Sequence, residues 1–558
     1  MKSTNLLIGS PIERVEDLRF LRGRGQYVAD VNRKGQLHAV ILRSSVAHGR
    51  IRRIDGTGAL NLPGVRAVIT ARDLGPDVPR IPLRLQSLPE LEPFRQPMLA
   101  DGKVRFVGEP MAVIVAESAA IAEDALELIE VDIESLPAVT GRVDAEAAKA
   151  ILFEAHGSNV SIGWTAVRGD VEAAFRSADY VRRETFRVQR HAPLFMEPRG
   201  FVAEWDAVTE KLTVWGAAKV AFANRKTLAE AMGLSERQIE MIELDVGGGF
   251  GSRGEFYPED FLIPFASRAL DRPVKWIEDR REHLLCANHA REIECDIEIA
   301  ATEDGRILGL RGESWSDNGA YIRTNGSIAP RNVAQFMSGP YDIENIRLTT
   351  HMLTTNKTPA GTYRAPGRFE ADFVRERLID LMAKDLGLDR VEIRRRNLVS
   401  DAQMPYPLPT ITPYESATEL DSGDYHALFD RCLEDFGWSE KVKLQGKLVD
   451  GRYHGVSIGS FVEGGAAGPS ENARIVLETD GSFSVYVGSA ALGQGIETIM
   501  AQIAGDALEV PFDRIRVRHG STDHVTEGHG SYHSRSTVMG GSAILLAVDE
   551  LKESIRAV

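Results

Sequence analysis

The sequence predicts an α+β protein of several domains. At about 150 residues per domain, its 558 residues correspond to three or four domains. Hydrophobic residues make up 43% of the chain, which is enough to bury several cores and excludes a disordered chain. Short apolar segments typical of strands alternate with segments of helical period in three successive stretches, as expected for mixed α and β architecture.

The first stretch, residues 14–145, has strand–helix–strand order near its end. The predicted elements are strands at 37–42 and 67–70, a proline-rich loop at 78–97, a buried strand at 111–116, a helix at 118–129 and a strand at 130–134. Ser118 is a suitable N-cap for that helix, because its hydroxyl can accept a hydrogen bond from a free backbone N–H of the first turn.

The second stretch, residues 150–400, mixes strands and helices. We predict strands at 212–215, 239–246 and 274–277, and helices at 226–232 and 369–386. In the last helix one apolar stripe, which we expect to lie in the core, consists of Phe369, Phe373, Leu378, Met382 and Leu386. Gly387 is well placed to end this helix.

The third stretch follows a proline-rich segment, residues 401–425, which we interpret as a linker between domains. From 426 to 558 the pattern predicts strands at 473–478 and 484–487, a helix at 496–508, and a helix from 545 to the last residue. Because this stretch is shorter than the second and its helix has no stop signal, we expect the chain to end before the domain does.

Composition excludes several classes of function. The net charge of −15 disfavours a nucleic-acid-binding protein, which needs a surplus of Lys and Arg. Three cysteines without a CxxC pattern exclude a disulfide scaffold and a four-cysteine zinc or iron–sulfur site. The longest uncharged stretch, 481–496, is too short for a membrane span, and we expect a cytoplasmic protein without a signal peptide.

The strongest local signal is a glycine-rich turn at 245–254, directly after an apolar strand. Gly249, Gly251 and Gly254 satisfy the dinucleotide pattern GxGxxG, and Glu278 follows at about the distance of a ribose-binding acid. However, the acidic residues that follow the turn would repel a pyrophosphate. We therefore favour a loop whose bare backbone N–H groups approach an anion or a metal-bound oxygen.

Three further segments carry polar residues next to turns. Arg364 and Arg368 flank a Pro-Gly turn at a helix start, which suits an anionic group. Gln494 lies between Gly493 and Gly495 and could contact a polar ligand. The last segment contains His519, His524, His529 and His533, followed by Ser534 and Ser536. The histidine spacing matches no compact zinc element, and a polar loop facing a ligand suits it better.

These turns, spread over two domains, predict one large anionic ligand held between the domains. Taken in order, the motifs resemble the large, molybdopterin-binding subunit of the xanthine dehydrogenase and aldehyde oxidase superfamily, in the branch that includes the carbon-monoxide dehydrogenase large subunit. The matching motifs are Arg14-Val-Glu-Asp with Gly23-Arg-Gly-Gln-Tyr27, Val107-Gly-Glu-Pro-Met-Ala112, Met196-Glu-Pro-Arg-Gly200, Gly247–Gly251, Tyr363-Arg364 with Arg368, Gly493-Gln494-Gly495 and Ser534-Arg535-Ser536.

The resemblance implies a fold and a cofactor. It implies an α/β hammerhead domain over 14–145, a first molybdopterin-binding domain over 150–400, and part of a second one over 426–558. The cofactor would be molybdenum–molybdopterin, in its simple or its cytosine dinucleotide form. The implied cofactor-binding residues are Gly248, Gly249, Phe250, Gly251, Arg364, Ala365, Gly493, Gln494, Gly495, Ser534 and Ser536, with Gly249–Gly251 nearest the metal.

The implied activity is that of a molybdenum hydroxylase. In this family a metal-bound hydroxide attacks an electron-poor carbon of an aldehyde or N-heteroaromatic ring, and hydride passes to a sulfido group. Electrons then leave through two [2Fe–2S] clusters to FAD. Because this chain has no cysteine set for such clusters, the resemblance implies an iron–sulfur small subunit and an FAD-binding medium subunit, together forming a dimer of heterotrimers.

Two positions depart from the family pattern. Lys219 stands where many relatives carry a glutamine near the metal oxo group. A lysine there is cationic and donor-only, so it could pair with an anionic substrate, shift the pKa of the metal-bound hydroxyl, or point away. Ala365 stands where the carbon-monoxide enzyme has a copper-binding cysteine, which disfavours CO oxidation.

The family's general base is a glutamate in a C-terminal Gly-Glu motif, which the resemblance implies to lie beyond Val558. We therefore expect the 558-residue chain alone not to oxidise substrate, since a positioned base typically contributes about 10²–10⁴-fold to the rate. Glu255 and Glu370 do not match the base motif. The alternatives left open are a split or non-catalytic cofactor-binding or assembly protein and, less favoured, a nicotinamide enzyme.

Overall fold

The computed structural model describes residues 5–84, 88–413, 418–468 and 470–557. The predicted loop 78–97 contains residues 85–87 and the predicted linker contains 414–417, which lie outside the described residues. The N-terminal elements are α1 (Asp17–Leu21), β1 (Leu37–Arg43), β2 (Gly49–Asp55), α2 (Thr57–Leu60), β3 (Val65–Thr70), β4 (Lys103–Val104), β5 (Pro110–Ala116), α3 (Ala119–Leu126), β6 (Glu130–Ser135) and α4 (Arg142–Glu146).

The middle of the chain carries most of the secondary structure. Its elements are β7 (Val160–Arg168), α5 (Val171–Arg176), β8 (Tyr180–Val188), β9 (Gly200–Asp206), β10 (Lys211–Ala217), α6 (Ala221–Met232), β11 (Ile239–Glu243), α7 (Pro258–Leu270), β12 (Val274–Ile277), α8 (Arg280–Cys286), β13 (Ile293–Ala301), β14 (Ile307–Asp317), α9 (Ile328–Gln335), β15 (Asn345–Leu353), α10 (Arg368–Leu386) and α11 (Arg390–Asn397).

The last part of the chain begins with short strands and ends in two long helices. Its elements are β16 (Tyr406–Pro407), β17 (Thr410–Thr412), β18 (Glu419–Leu420), α12 (Tyr425–Phe436), α13 (Trp438–Lys441), β19 (Leu448–Val449), β20 (Arg452–Tyr453), β21 (Ala473–Leu477), β22 (Phe483–Val487), α14 (Ile496–Leu508), β23 (Ile515–Arg518) and α15 (Gly541–Arg556). Among the described helices, none combines the length and apolar composition that a bilayer span requires.

A seven-stranded mixed sheet joins the first two predicted stretches. Its strand order is β11-β10-β9-β12-β1-β5-β3, and β1 pairs in parallel with β12 at Leu37 and Val274. Helices α6 and α7 pack on this sheet around a buried cluster that includes Leu212, Leu262 and Trp276. Three strands of the first stretch therefore share one sheet with four strands of the second, so these stretches are not separate at the level of sheets.

A six-stranded sheet in the order β17-β7-β15-β14-β13-β8 lies beside it, with α9 and α10 packed on one face. Strand β17 comes from the segment interpreted as a linker. It pairs with β7, and Ile411 is fully buried. This part of the segment is therefore an edge strand and not a free connection, which corrects the linker interpretation for these residues.

The C-terminal domain has a three-stranded sheet, β21-β22-β23, covered by α14 and α15. The predicted helix at 496–508 is confirmed residue for residue, and the final helix begins four residues before the predicted start.

The Ser118 cap is also confirmed, since its Oγ accepts a hydrogen bond from the Ile121 N–H at 3.2 Å. The strand predicted over 239–246 ends at Glu243, because the Asp245 N–H donates outside the sheet to the Gln26 carbonyl.

Helix α10 corrects one expectation about the core. Phe369 and Phe373 are 46% and 39% exposed, whereas Leu378 and Met382 are fully buried. The buried face also contains the charged residues Glu370 and Arg375, which have polar partners inside the protein. An apolar stripe read from the sequence cannot anticipate a face that buries paired charges. Gly387 ends the helix in the left-handed conformation, at φ 68°, as predicted.

The two sides of α10 should respond differently to truncation. We expect Leu378→Ala to lower the free energy of unfolding by about 2–5 kcal/mol, because it leaves a cavity in a closed core. Phe373→Ala should cost less than half as much, since its ring is partly in solvent and makes one edge contact with Phe186. Urea unfolding of the two variants measures the difference, and equal losses would show that Phe373 belongs to the core.

Candidate cofactor-binding site

The glycine-rich loop 247–251 leaves the edge of the seven-stranded sheet just after β11. Gly248, Phe250 and Gly251 all have positive φ, at 97°, 48° and 116°. A Cβ at Gly251 would lie 2.8 Å from the Thr362 carbonyl oxygen, so only glycine fits there. The side chain of Phe250 is 47% exposed. The loop therefore presents bare backbone beside one exposed aromatic ring.

This loop is tied to the Tyr-Arg turn that precedes α10. The Arg364 N–H donates to the Phe250 carbonyl at 2.8 Å, and the Thr362 hydroxyl donates to the Gly251 carbonyl at 3.2 Å. Arg364 has an exposed side chain, and Ala365 follows it at φ 53°. The structure thus brings together two motifs that lie more than 100 residues apart in the sequence.

Two buried charges hold this arrangement. The Glu255 carboxylate accepts hydrogen bonds from the Thr362 N–H at 3.2 Å and the Asn325 N–H at 3.0 Å. The Arg291 guanidinium donates to the carbonyls of Arg364 and Ala365 and pairs with Glu370 at 3.2 Å. Sequence reasoning missed Arg291, because an isolated arginine 70 residues upstream carries no signal of this contact.

The Gly493-Gln494-Gly495 turn lies against the glycine loop. A Cβ at Gly249 would lie 3.4 Å from Leu492 Cδ2. The Gln494 amide is used within its own turn, since its Oε1 accepts from the Leu492 N–H at 2.6 Å and its Nε2 donates to the Ala490 carbonyl at 2.8 Å. Both ends of the amide are therefore hydrogen-bonded within the turn, while Gln494 itself is exposed, Gly493 is exposed and Gly495 is buried. Contact of this side chain with a ligand stays a prediction.

The two serines of the Ser-Arg-Ser motif differ in their surroundings. Ser536 Oγ lies 2.8 Å from Ser531 Oγ, which in turn donates to the Ala490 carbonyl at 2.6 Å. Ser534 is exposed at φ 53°, and its hydroxyl has no hydrogen-bond partner within the described ranges. Arg535 between them is fully buried and pairs with Glu471 at 2.5 Å. One serine thus supports the Gln494 turn and the other is open to a ligand.

Lys219 lies where these segments meet. Its Nζ is 3.4 Å from the Gly251 carbonyl oxygen, and the residue is 9% exposed. Burial lowers the pKa of Lys219 to about 8; Glu255 acts in the opposite direction, and the nearby cation Arg84 lowers it further. Its backbone N–H donates to the Glu243 carboxylate at 2.9 Å.

The N-terminal motif contacts the same turn. The Arg14 guanidinium donates to the Gly493 carbonyl at 3.1 Å. The buried Glu16 carboxylate accepts from the Glu497 N–H at 2.9 Å and the Thr498 hydroxyl at 2.6 Å, which caps the start of α14. The first residues of the chain therefore fix the orientation of a helix nearly 500 residues away.

The four histidines have separate partners. His519 lies between Glu243 and Glu497, at 3.5 and 3.2 Å. His524 makes an edge contact with Tyr486, and His529 and His533 pair with Glu527 and Glu463. Within the described ranges, no three His, Cys, Asp or Glu side chains are grouped to hold a metal ion.

The position of Glu278 argues against the interpretation of the glycine-rich turn as a dinucleotide-binding motif. This carboxylate is buried, pairs with Arg199 at 2.5 Å and lies 2.9 Å from His283 Nδ1. Burial acts to raise its pKa, but Arg199 and His283 hold it well below its ordinary value. The acid that would have bound a ribose is therefore occupied inside the protein.

Three family models match the chain in sequence order. Residues 22–137 match the a/b hammerhead domain of aldehyde oxidase and xanthine dehydrogenase. Residues 152–398 and 431–558 each match a molybdopterin cofactor-binding domain. These matches confirm the predicted fold class.

Several known proteins are similar over nearly the whole chain. The gamma subunit of the 6-hydroxypseudooxynicotine dehydrogenase complex of Paenarthrobacter nicotinovorans is 37% identical over 98% of this chain and 69% of its own length. The carbon monoxide dehydrogenase large chain of Hydrogenophaga pseudoflava is 34% identical over 97% and 70%. The crystal structure of quinoline 2-oxidoreductase from Pseudomonas putida 86 has a TM-score of 0.90 at 35% identity, covering 98% of this chain and 70% of that one.

The position of His519 predicts a pH dependence of stability. Burial alone would lower its pKa, but the carboxylates of Glu243 and Glu497 raise it to about 9. The unfolded chain should titrate near 6.5, so the stabilisation is fully present below pH 6.5 and is lost as the pH rises through 9. We expect wild type to lose up to about 3 kcal/mol more than His519→Gln over this window.

Urea unfolding between pH 6 and 9.5 measures this difference. His529→Gln is the matched control, because His529 pairs with the exposed Glu527 near the surface. The control should keep the wild-type pH slope. If His519→Gln also keeps it, His519 is not a cation held between the two carboxylates.

Proposed function

The chain belongs to the family of molybdopterin-binding large subunits of xanthine dehydrogenases and aldehyde oxidases, and from this premise we propose that it hydroxylates an aldehyde or N-heteroaromatic carbon with oxygen from water. The observation that supports this proposal most directly is the convergence of the glycine loop, the Tyr-Arg turn, the Gly493–Gly495 turn and the serine motif at one place. These segments come from both molybdopterin-binding domains. We infer that together they hold one large anionic group.

The residues present fit such a group. The glycines of the loop let its backbone pack closely against Phe195, Leu492 and Thr362. Arg364 and Ser534 offer exposed polar side chains. We assign Arg364 and Ser534 to direct contact, and Gln494 and Ser536 to holding the turns around it. Phe250 and Ala365 line the same loops. When bound, the molybdenum cofactor would supply the two-electron oxidation, and the protein would orient it.

Two carboxylates beside these loops, Glu255 and Glu370, have structural roles. Both Glu255 oxygens accept backbone N–H groups, and Glu370 is buried against Arg291. Burial raises the pKa of each, and their hydrogen bonds and neighbouring arginines oppose this rise. The described part of this site therefore binds and orients the ligands, and we propose that the general base is a glutamate outside it.

The substrate class that we propose is an electron-poor N-heteroaromatic ring, with an aldehyde as the broader alternative. One similar protein is named for 6-hydroxypseudooxynicotine and another for quinoline, both of which contain a nitrogen heterocycle. Ala365 has no sulfur to bind copper, which argues against CO as substrate despite the similarity to a CO dehydrogenase chain.

The family membership is also the basis on which we propose partner subunits and a cellular location. We propose that electrons leave to an iron–sulfur small subunit and an FAD-binding medium subunit, in a dimer of heterotrimers in the cytoplasm. Three cysteines, two of them buried, support this division of redox groups. We also propose that the cofactor is molybdenum–molybdopterin, in its simple or its cytosine dinucleotide form.

The first test is the content of the purified protein. Produced in a molybdenum-cofactor-competent host with its partner subunits, the chain should contain about one molybdenum and one pterin, since both domains present loops toward one site. Elemental analysis and pterin fluorescence after oxidation measure them. Bound nicotinamide dinucleotide without molybdenum would refute the proposed function.

The second test addresses Arg364. Arg364→Ala should weaken cofactor retention by about 10- to 100-fold, because a charge-assisted hydrogen bond contributes about 1.5–3 kcal/mol. The urea midpoint should change little, since the Arg364 side chain is exposed. Arg347→Ala, which removes another exposed arginine from β15, is the matched control. Equal molybdenum retention in the two variants would contradict the assignment.

A further inference from the structure

Among the residues that the structure describes, two lysines are buried, and their ammonium groups have different surroundings. Lys275 is 7% exposed and donates to the Ala29 carbonyl at 2.7 Å, the Val31 carbonyl at 2.9 Å and Asn32 Oδ1 at 3.3 Å. Lys219 is 9% exposed, and within the described ranges its only acceptor is the Gly251 carbonyl at 3.4 Å. An ammonium group has three N–H donors. All three have acceptors in Lys275, whereas Lys219 has donors without one in the described part of the chain.

The backbone of Lys219 is held in an unfavourable conformation. Its φ is 66°, which a side chain with a Cβ seldom adopts. Its N–H donates to Glu243, and its carbonyl accepts from the Ser531 N–H at 3.0 Å. Gly530 is required beside it, since a Cβ there would lie 1.7 Å from the Lys219 carbonyl oxygen. Contacts from two domains thus fix this residue where it lies.

The glycine at position 254 leaves room for the end of the Lys219 side chain. A Cβ at Gly254 would lie 2.9 Å from Lys219 Nζ, so any larger residue there would displace the ammonium group. Leaving a buried cation with one long hydrogen bond is costly. A poorly paired buried ammonium group is typical of a binding site and not of a well-packed core.

The charges around Lys219 favour an anion. Arg84 is a second, partly buried cation, and its guanidinium donates to the Gly254 carbonyl at 3.0 Å and to Asn224 Oδ1 at 2.6 Å. Glu255 is the carboxylate that interacts with both cations, and its oxygens already accept two backbone N–H groups. Asp260 also acts on Arg84. Among the described residues, the Lys219 ammonium therefore keeps unused donors beside a second cation, and the nearby Glu255 oxygens already have backbone partners.

We propose that Lys219 is the residue that binds an anionic oxygen of the ligand held at the glycine loop. This inference rests on the proposed function, because it takes that ligand to be the molybdenum cofactor with its substrate. The oxygen comes either from the cofactor or from a carboxylate or oxyanion of the substrate. In both cases the ammonium group supplies a hydrogen-bond donor and a positive charge, whereas a glutamine at this position supplies only a donor.

The experiment compares Lys219→Gln with wild type in the complex loaded with cofactor. Lys226→Gln is the matched control, since it removes the same charge from an exposed lysine on α6. The first arm measures the rate of molybdenum loss during dialysis. The second arm measures binding of pyridine-3-carboxylate and pyridine-3-carboxamide, two probes of similar shape that differ in charge, by equilibrium dialysis.

We expect Lys219→Gln to lose about tenfold or more in one arm, as is usual for a charge-assisted contact. Faster molybdenum loss assigns the oxygen to the cofactor. A selective loss of affinity for the carboxylate probe assigns it to the substrate. The urea midpoint of the variant should stay equal or rise, because the substitution removes a poorly paired buried charge, whereas loss of a purely structural lysine would lower it.

The inference is overturned if Lys219→Gln behaves like Lys226→Gln in both arms while wild type retains molybdenum. Absence of molybdenum from wild type itself would instead overturn the proposed function, and this inference with it. If Lys219→Gln does not fold, Lys219→Met provides the same comparison, and failure of both variants to fold would show a structural role and overturn the inference.

Discussion

The arrangement of the site depends on the hydrogen bonds that the buried Glu243 carboxylate accepts. Glu243 ends β11 at the edge of the seven-stranded sheet and accepts from the Lys219 N–H at 2.9 Å and the Ala491 N–H at 2.7 Å. His519, held as a cation, lies 3.5 Å away. A single buried acid thus joins the first cofactor-binding domain to two segments of the second. Because buried charge needs several partners, these segments must come together for any of them to be stable there.

The site is made largely of backbone, and its precision comes from side chains that do not face the ligand. Glycine loops supply close approach but have no packing of their own to fix them. Buried charged groups supply that constraint: Glu255 and Arg291 hold the Tyr-Arg turn, and Glu16 caps α14. Such residues are as necessary for binding as the ones that touch the cofactor, since a loop displaced by an ångström loses its hydrogen bonds.

The electrostatics of the site are asymmetric. Lys219 and Arg84 lie on the buried side of the glycine loop, and Arg364 lies on the exposed side. A ligand with several anionic oxygens can contact both sides at once, which a neutral ligand cannot do. Under our proposal, Lys219 makes the charge of a ligand a criterion for what binds.

The sequence by itself determined the fold class, part of the helices and strands and the motifs of the site, because periodicity, caps and glycine turns are local properties. It also located Arg364, Ser534 and Lys219 as candidates. Only the tertiary structure decided that Gln494 serves its own turn, that Phe373 is partly exposed, and that the first stretch shares a sheet with the second. Those facts depend on which distant segments meet, and the partners of a buried charge or an edge strand leave no periodic trace in the chain.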